Sequence, residues 1–218
     1  MIPHPLPLDQ ALGRLRPRRQ FDSTRVLPEP ILTTILALAS QVPSWNDLQP
    51  WRFLVVREES NRRRLRTCVF DRQEVVDASV VVIVLAYLYP ERSYLERLLE
   101  EQLNRGHLTP AEAAKTRGMT QRKLERIEDP AAWASHPAYR AETALLIAAE
   151  SMGVASAPVE EFDASKLARA FGIPDDHVPC SLVALGYSAR EEPEPPRLPL
   201  YDICYREHFG QPWSPEET

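Results

Sequence analysis

Residues 42–51 read VPSWNDLQPW and follow the apolar run ILTTILALAS of residues 31–40. Apolar side chains recur at helical spacing in that run, and Pro28 and Pro30 precede or open it. The sequence therefore predicts a helix that starts near these prolines and stops before Pro43. Prolines restrict the backbone of the loop, and the polar centre of the loop is predicted to face a ligand. Taken alone, however, two tryptophans after a helix more often fill a core than stack on a ligand.

Outward from this loop, short apolar runs alternate with helical patterns. The predicted strands are Phe53–Val56, Ser79–Ala86 (buried on both faces) and Val178–Tyr187. The other predicted helices are Leu8–Leu15, one capped by Ser60, much of Pro90–Asp129 with a capping box at Thr109, Ala141–Val154 ending at Gly153, and one from Asp163 to Phe171. Because no linker or repeat divides the chain, this order predicts one α+β domain over residues 1–218.

The composition limits the function classes. The 26 basic and 31 acidic residues give a net charge of −5, which disfavours nucleic acid as a partner. The apolar stretch SVVVIVLAYLY is too short to cross a membrane, and the first residues do not resemble a signal peptide, so a cytoplasmic protein is expected. The three cysteines have no metal-binding spacing, and no glycine-rich phosphate loop occurs. No metal site is predicted.

Basic or acidic residues concentrate beside the predicted elements at three further places. They are RLRPRR at residues 14–19, SAPVEEFD at residues 156–163 and, more weakly, the proline-rich segment around Arg197. An isolated arginine cluster is usually a solvated surface, and Glu160-Glu161 alone would be ordinary exposed charge. Only the joint occurrence of these clusters with the 42–51 loop favours a binding site.

In this order the motifs resemble the FMN-dependent nitroreductase / NADH oxidase family over almost the full chain. Seven segments carry the resemblance: Arg16–Phe21, Pro43–Trp51, Asp77-Ala78, Met152-Gly153, Pro158–Asp163, Leu185–Tyr187 and Arg197–Pro199. The segment from Ala132 to Ser135 also resembles the NADH oxidase branch. Each motif is weak alone, but their shared order is specific.

The resemblance implies an α+β sandwich with a mixed or antiparallel central sheet, assembled as an intertwined homodimer. Two FMN sites would lie at the subunit interface, and hydride would pass from NADH or NADPH to FMN and then to a small acceptor such as a nitroaromatic, a quinone or oxygen. Residues 90–130 would form a charged helical excursion over the active site, and residues 190–218 would form an arm that reaches the partner subunit.

The resemblance also implies roles for individual residues. Arg16 and Arg197, with Arg18 as a substitute, would bind the FMN phosphate, since arginine is the best bidentate phosphate donor. Arg19 would stabilise the negative charge near N1 and C2=O of the reduced flavin. The remaining expected cofactor contacts are Pro43, Ser44, Trp45, Asp47, Gln49, Asp71, Glu74, Pro158, Val159, Glu160 and Glu161. Phe70 and Trp133 would contact the substrate.

Several positions depart from the family pattern. Leu15 and Pro17 replace an arginine and a serine, Pro195 replaces a common basic residue, and four acids stand where neutral or basic residues are usual: Asp47, Asp71, Glu74 and Glu161. If these acids face the flavin, they oppose its reduced anionic form by roughly 1–4 kcal/mol at contact distance.

These departures leave three alternatives to the oxidoreductase hypothesis. The chain could be an oxygen-using enzyme that fragments reduced flavin, as the dimethylbenzimidazole synthases do. It could be a binding or regulatory dimer with weak or no flavin binding. It could also be a structural α+β domain whose arginine runs are solvated faces.

Overall fold

The computed structural model describes residues 5–214, which form one four-stranded sheet with helices on both faces. The strands are β1 (Trp51–Val56), β2 (Val80–Tyr87), β3 (Ala155–Val159) and β4 (His177–Gly186). The α-helices are α1 (Leu8–Arg14), α2 (Glu29–Ala39), α3 (Glu59–Arg66), α4 (Glu74–Asp77), α5 (Glu96–Asn104), α6 (Pro110–Leu124), α7 (Pro130–Ser151), α8 (Ala164–Phe171) and α9 (Leu200–Ile203). The predicted α+β class is confirmed.

The sheet has the order β1-β2-β4-β3, and every pair of neighbours is antiparallel. The three strands expected from the apolar runs are β1, β2 and β4. Strand β3 was not predicted, because it is only five residues long and contains Pro158. A proline without an N–H is tolerated there because β3 lies at the edge of the sheet.

Strand β2 is buried at every position because helices cover both of its faces. Val80, Val82 and Val84 pack into one hydrophobic cluster with α2 and α7. Val81 and Ile83, which point the other way, pack into a second cluster with α3 and α8. The apolar run without alternation was therefore correctly predicted as a strand buried on both faces.

Helix α7 is longer than the segment predicted from its apolar composition. The prediction began at Ala141, but the helix begins at Pro130, where the Asp129 carboxylate accepts a hydrogen bond from the Ala132 N–H at 2.9 Å. Trp133 consequently lies in the first turn of this central helix. Gly153, with φ of +70°, terminates the helix close to where it was predicted to end.

Residues 90–130 form a π-helical turn at Glu91–Leu95 followed by α5 and α6. This excursion has a small core of its own, in which Leu95, Leu99 and Ala113 pack against Leu48 of the 42–51 loop. The loop is thereby attached to the excursion, and the two form one side of the molecule. Among the described residues, no helix is long and apolar enough to cross a membrane.

The helix ends follow the predicted caps with one exception. Asp163 caps α8 and Gly172 ends it in the left-handed conformation, as predicted. Ser60 was the wrong N-cap for α3, because the helix already begins at Glu59 and its capping position is Glu58. The Glu58 side chain makes no capping hydrogen bond.

The capping box at Thr109 supports a stability prediction. The Thr109 hydroxyl accepts from the Glu112 N–H at 3.3 Å, and the Glu112 carboxylate accepts from the Thr109 N–H at 2.8 Å. We expect Thr109→Ala to lower the free energy of unfolding by about 1 kcal/mol, measured by chemical denaturation. The control is Thr143→Ala, since this hydroxyl only bonds back to the Tyr139 carbonyl inside α7. Equal losses in both variants would contradict the capping assignment.

Candidate functional site

The arginine run of residues 14–19 lies beside the edge strand β3. The Arg18 N–H donates to the Ser156 carbonyl at 2.9 Å, and Phe21 forms an antiparallel bridge with Ser188 just after β4. The contact with β4 is close at Gly186, because a Cβ there would lie 3.0 Å from Cδ1 of Phe21 and 3.1 Å from the backbone N of Ser79. This packing places the arginine run beside the segments around Ser156 and Ser188.

The three arginines at the end of this run point in different directions. Arg16 is half-buried and donates from Nη1 to the Glu192 carbonyl at 3.0 Å, which ties the run to the segment after β4. Arg18 turns inward, and its Nη2 lies 3.8 Å from Glu150 Oε1 on α7. Its Nε is buried and has no acceptor among the described residues. Arg19 is exposed. Arg16 and Arg19 are therefore the better placed cations for an external anion.

A feature that the sequence analysis missed is the ion-pair network of Arg72. Its Nη2 donates to Glu161 Oε2 at 2.9 Å, and its Nη1 lies 3.4 Å from Glu74 Oε1. The hydrogen bond with Glu161 raises the pKa of Arg72, so the guanidinium stays charged. Glu74 and Glu161 were expected to repel a reduced flavin, but both are paired with this one cation. An arginine two residues before Glu74 was the available signal.

Phe70 and Asp71 form an exposed turn beside this network. Both have positive φ angles, 52° and 62°, a backbone conformation that non-glycine residues adopt infrequently. Asp71 Oδ1 lies 3.7 Å from Nε of Arg66. Asp71 therefore also has a cationic neighbour, as Glu74 and Glu161 do. Phe70 is 70% exposed and is free to contact another molecule.

The 42–51 loop is held in an irregular conformation by its own hydrogen bonds. The Ser44 hydroxyl accepts from the Gln49 N–H at 2.9 Å, and Asn46, Asp47 and Gln49 have φ angles of 49°, 53° and 46°. Three non-glycine residues in this region represent stored backbone strain, which persists only where surrounding contacts hold it. Pro43, Asp47 and Gln49 are exposed. The loop is thus a preformed surface, as the prolines indicated.

Contacts with α6 and α7 fix the centre of this loop. The Asn46 Nδ2 donates to Thr120 Oγ1 at 2.8 Å, and Thr120 is fully buried. The Trp45 and Trp133 rings meet edge to face with their centroids 6.4 Å apart. These two tryptophans form an aromatic wall between the loop and the first turn of α7.

The predicted site residues fall into two groups on opposite edges of the sheet. The loop of residues 43–49 leads into β1, whereas the arginine run and Glu160-Glu161 adjoin β3. Strands β2 and β4 lie between these edges, so the β1 and β3 axes are about 14 Å apart. Within one chain the two groups do not form a single site.

The remaining predicted site residues lie in or after strands. Pro158 and Val159 belong to β3, where Val159 is buried, and Glu160 is exposed just beyond that strand. Arg197 is exposed in the extended segment between β4 and α9. Among residues 5–214, no group of three or more His, Cys, Asp and Glu side chains is arranged to hold a metal ion.

Helix α7 carries two buried carboxyl groups, Glu142 and Glu150. Burial raises the pKa of Glu150, while Arg18 acts in the opposite direction. Burial also raises the pKa of Glu142, and the nearby Glu160 adds to that effect. The folded state therefore holds the Glu142 proton more tightly than the unfolded chain does. Its contribution to stability is fully present below the ordinary pKa of 4.5 and is lost as the pH rises through the folded pKa.

This sign predicts the effect of replacing Glu142. At pH values above the folded pKa of Glu142, we expect Glu142→Gln to raise the free energy of unfolding by on the order of 1 kcal/mol. The substitution should also make the free energy of unfolding less dependent on pH. Chemical denaturation at acidic and alkaline pH measures both effects, with Glu100→Gln on the exposed face of α5 as the control. An unchanged pH dependence in Glu142→Gln would contradict the role of burial.

Comparison with known proteins identifies the family. The model of the nitroreductase family matches residues 16–187. An NADH dehydrogenase of Thermus thermophilus is 32% identical over 180 residues, covering 80% of this chain and 83% of that protein. An oxygen-insensitive NAD(P)H nitroreductase of Enterobacter cloacae is 30% identical and covers 71% and 76%. A crystal structure of an Exiguobacterium sibiricum protein assigned as a nitroreductase, in complex with FMN, has the same fold, with a TM-score of 0.85 at 23% identity over 95% of this chain and 100% of the other. Because the family model matches most of the chain, including the arginine run and the 42–51 loop, the chain belongs to the nitroreductase family.

Proposed function

We propose that this protein is an FMN-dependent oxidoreductase. It would take electrons from NADH or NADPH and pass them, by a ping-pong route, to a small acceptor such as a nitroaromatic, a quinone or oxygen. The observation that carries the proposal is the row of guanidinium groups along the β3 side of the sheet. Arg16 and Arg19 lie in the arginine run beside β3. Arg72 lies just beyond that strand, where it pairs with Glu161. The FMN named for the Exiguobacterium sibiricum protein supports the same cofactor.

The donor groups present fit FMN. Its phosphate calls for cations with bidentate geometry, and Arg16, Arg19 and the exposed Arg197 offer them. Arg18 has a buried Nε without an acceptor, so a further anion near this edge would satisfy a group that the described residues leave unpaired. Pro17 supplies no N–H, so the phosphate would depend on side chains more than on the backbone here.

When bound, FMN supplies the two-electron chemistry. The protein groups supply charge and shape. Arg72, held by Glu74 and Glu161, would keep a positive charge beside the bound flavin. Trp45 and Trp133 form an apolar wall that excludes water from the acceptor's side.

We further propose that the working unit is a homodimer, with the whole chain acting as a single domain. The two groups of site residues lie on opposite edges of the sheet, so one complete site would need the 43–49 loop of a second copy. Exposed apolar side chains support such an assembly, because they concentrate in the arm after β4. They are Leu198, Leu200, Tyr201, Ile203, Tyr205, Phe209 and Trp213, all at least 39% exposed.

The pairing of the unusual acids bears on the alternative of a flavin-free binding dimer. That alternative rested on the acids Asp47, Asp71, Glu74 and Glu161 opposing the cofactor. Arg72 and Arg66 lie beside three of them, which weakens the repulsion from which the alternative was inferred. The dimethylbenzimidazole synthase type remains the second enzymatic alternative, without a structural feature in its favour.

The visible absorption spectrum of the purified protein tests the proposal. We expect a yellow protein, or a colourless one that takes up FMN on titration, and we expect NADH or NADPH to bleach it in the absence of oxygen. A folded dimer that binds no FMN would overturn the proposal and favour the binding-dimer alternative. Loss of the flavin ring itself during turnover would favour the flavin-fragmenting alternative.

A further inference from the structure

A pocket of about 460 Å³ lies between the 42–51 loop and α6. Its walls combine Trp45 and Met119 with three basic side chains, Arg122, Lys123 and Arg126. Its volume lies within the usual range of small-molecule sites and suits a ligand of one or two rings. An aromatic wall beside three cations, in a chain with a net charge of −5, points to a specific kind of ligand.

In the part of the chain that the structure describes, these three cations have no anionic partner. Among residues 5–214, no carboxylate lies within ion-pair distance of Arg122, Lys123 or Arg126. Some other arginines of the same helical excursion do have such partners: Arg105 lies 2.7 Å from Glu101, and Arg117 lies 2.6 Å from Glu96. The neighbouring acid Glu125 lines a different pocket, beside Leu88 and Trp133. The positive charge of this pocket is therefore uncompensated.

Helix electrostatics explain only part of this charge. Basic residues in the last turn of a helix interact favourably with its macrodipole, and Arg122 and Lys123 occupy that turn of α6. Arg126 lies beyond the helix, however, and the Lys123 ammonium sits 4.7 Å from the centroid of the Trp45 ring on the loop. The cations are thus gathered around an aromatic ring of another segment.

Contacts with other segments hold the aromatic wall in place, whereas the basic side chains extend into solvent. Trp45 is held edge to face by Trp133, and the adjacent Asn46 is anchored to the buried Thr120. Arg122 and Lys123 are exposed on long side chains that can follow a ligand anion. A fixed apolar surface with mobile counter-charges at its rim is suited to a flat molecule with an acidic substituent.

We propose that this pocket binds an aromatic carboxylate, with its ring against Trp45 and Met119 and its carboxylate between Arg122, Lys123 and Arg126. The identification of this ligand as the electron acceptor rests on the proposed function, and the binding itself does not. As an electron acceptor, an aromatic acid is then preferred over a neutral aromatic molecule of the same shape.

Binding of 4-nitrobenzoate and of its neutral analogue 4-nitrobenzamide, measured by calorimetry on the full-length protein, tests this proposal. We expect the carboxylate to bind about tenfold more tightly than the amide and to lose that advantage at high salt. Arg122→Gln and Lys123→Gln should each weaken 4-nitrobenzoate about tenfold and leave the amide unchanged. Lys115→Gln, exposed on α6 outside the pocket, is the matched control and should leave both ligands unchanged.

Three results would overturn the proposal. The first is equal affinity for the acid and the amide, and the second is an equal loss of 4-nitrobenzoate affinity in Lys115→Gln and Arg122→Gln. The third is binding of NADPH in preference to NADH without any binding of 4-nitrobenzoate. The last result would assign the cations to a dinucleotide phosphate. A protein that takes up no FMN but still binds 4-nitrobenzoate with this charge dependence would refute the proposed oxidoreductase and leave the pocket assignment intact.

Discussion

If the proposed homodimer forms through the arm, truncation after Pro199 is expected to give a monomer that binds FMN at least about a hundredfold more weakly. The removed segment holds six of the exposed apolar side chains of the arm: Leu200, Tyr201, Ile203, Tyr205, Phe209 and Trp213. Loss of their burial would separate the 43–49 loop of one copy from the arginine run of the other. The FMN then loses contacts worth several kcal/mol, and each 1.4 kcal/mol corresponds to about a factor of ten in affinity.

Light scattering measures the oligomeric state, and FMN titration measures the affinity. A point variant, Phe209→Asp, should act in the same direction because Phe209 is 89% exposed in one chain. The matched control is Val26→Asp, which adds the same charge at a residue that is 71% exposed but lies before α2. A truncated chain that remains a dimer with full FMN affinity would contradict the role of the arm.

Replacing Arg72 should produce the second large effect. Arg72→Gln leaves Glu74 and Glu161 without their cation. Two uncompensated carboxylates beside the proposed cofactor site would oppose a negatively charged reduced flavin. Glu161 is 76% exposed in its side chain, so solvent screens much of this repulsion. We expect an effect of about 1 kcal/mol, or roughly a five- to tenfold loss of FMN affinity and a fall of about 20–30 mV in the two-electron potential.

A suppressor variant separates this electrostatic role from a structural one. Adding Glu161→Gln to Arg72→Gln removes one of the unpaired charges and should restore part of both the potential and the affinity. Arg63→Gln, which breaks the exposed pair with Glu59 on α3, is the control for loss of a surface ion pair. If Arg72→Gln leaves the potential unchanged, the acids do not act on the cofactor.

Local sequence patterns predicted the helices and strands whose formation depends on residues close together in the chain. The all-apolar run of β2, the capping box at Thr109 and the cap of α8 at Asp163 were all predicted, because burial on both faces and helix capping leave direct marks in the sequence. The segment 155–159 left no such mark. It is a strand only because β4 lies beside it, and a proline is tolerated there only because the other side of the strand is an edge.

The candidate site divides in the same way. The resemblance of the ordered motifs indicated which segments matter, and the structure brings the arginine run to Ser156 and Ser188. The sequence did not reveal that Arg72 pairs with Glu161, since 89 residues separate them and only the packing of the 70–74 turn against the end of β3 joins them. The inward rotation of Arg18 toward Glu150 likewise depends on α7 lying behind β3.

By itself the sequence therefore determined the fold class and the family, because these follow from apolar periodicity, capping residues and motif order. It also predicted the segments of the candidate site. Only the tertiary structure decided how charge is distributed among those segments. Ion pairs such as that of Arg72 with Glu161, and unpaired cations such as those beside Trp45, arise from distances between segments remote in sequence. In the loop VPSWNDLQPW, Trp45 and Asn46 face the basic pocket, whereas Asp47 lines a separate pocket with Arg52 and Arg97. Coulomb energies depend on these distances and not on the order of residues in the chain.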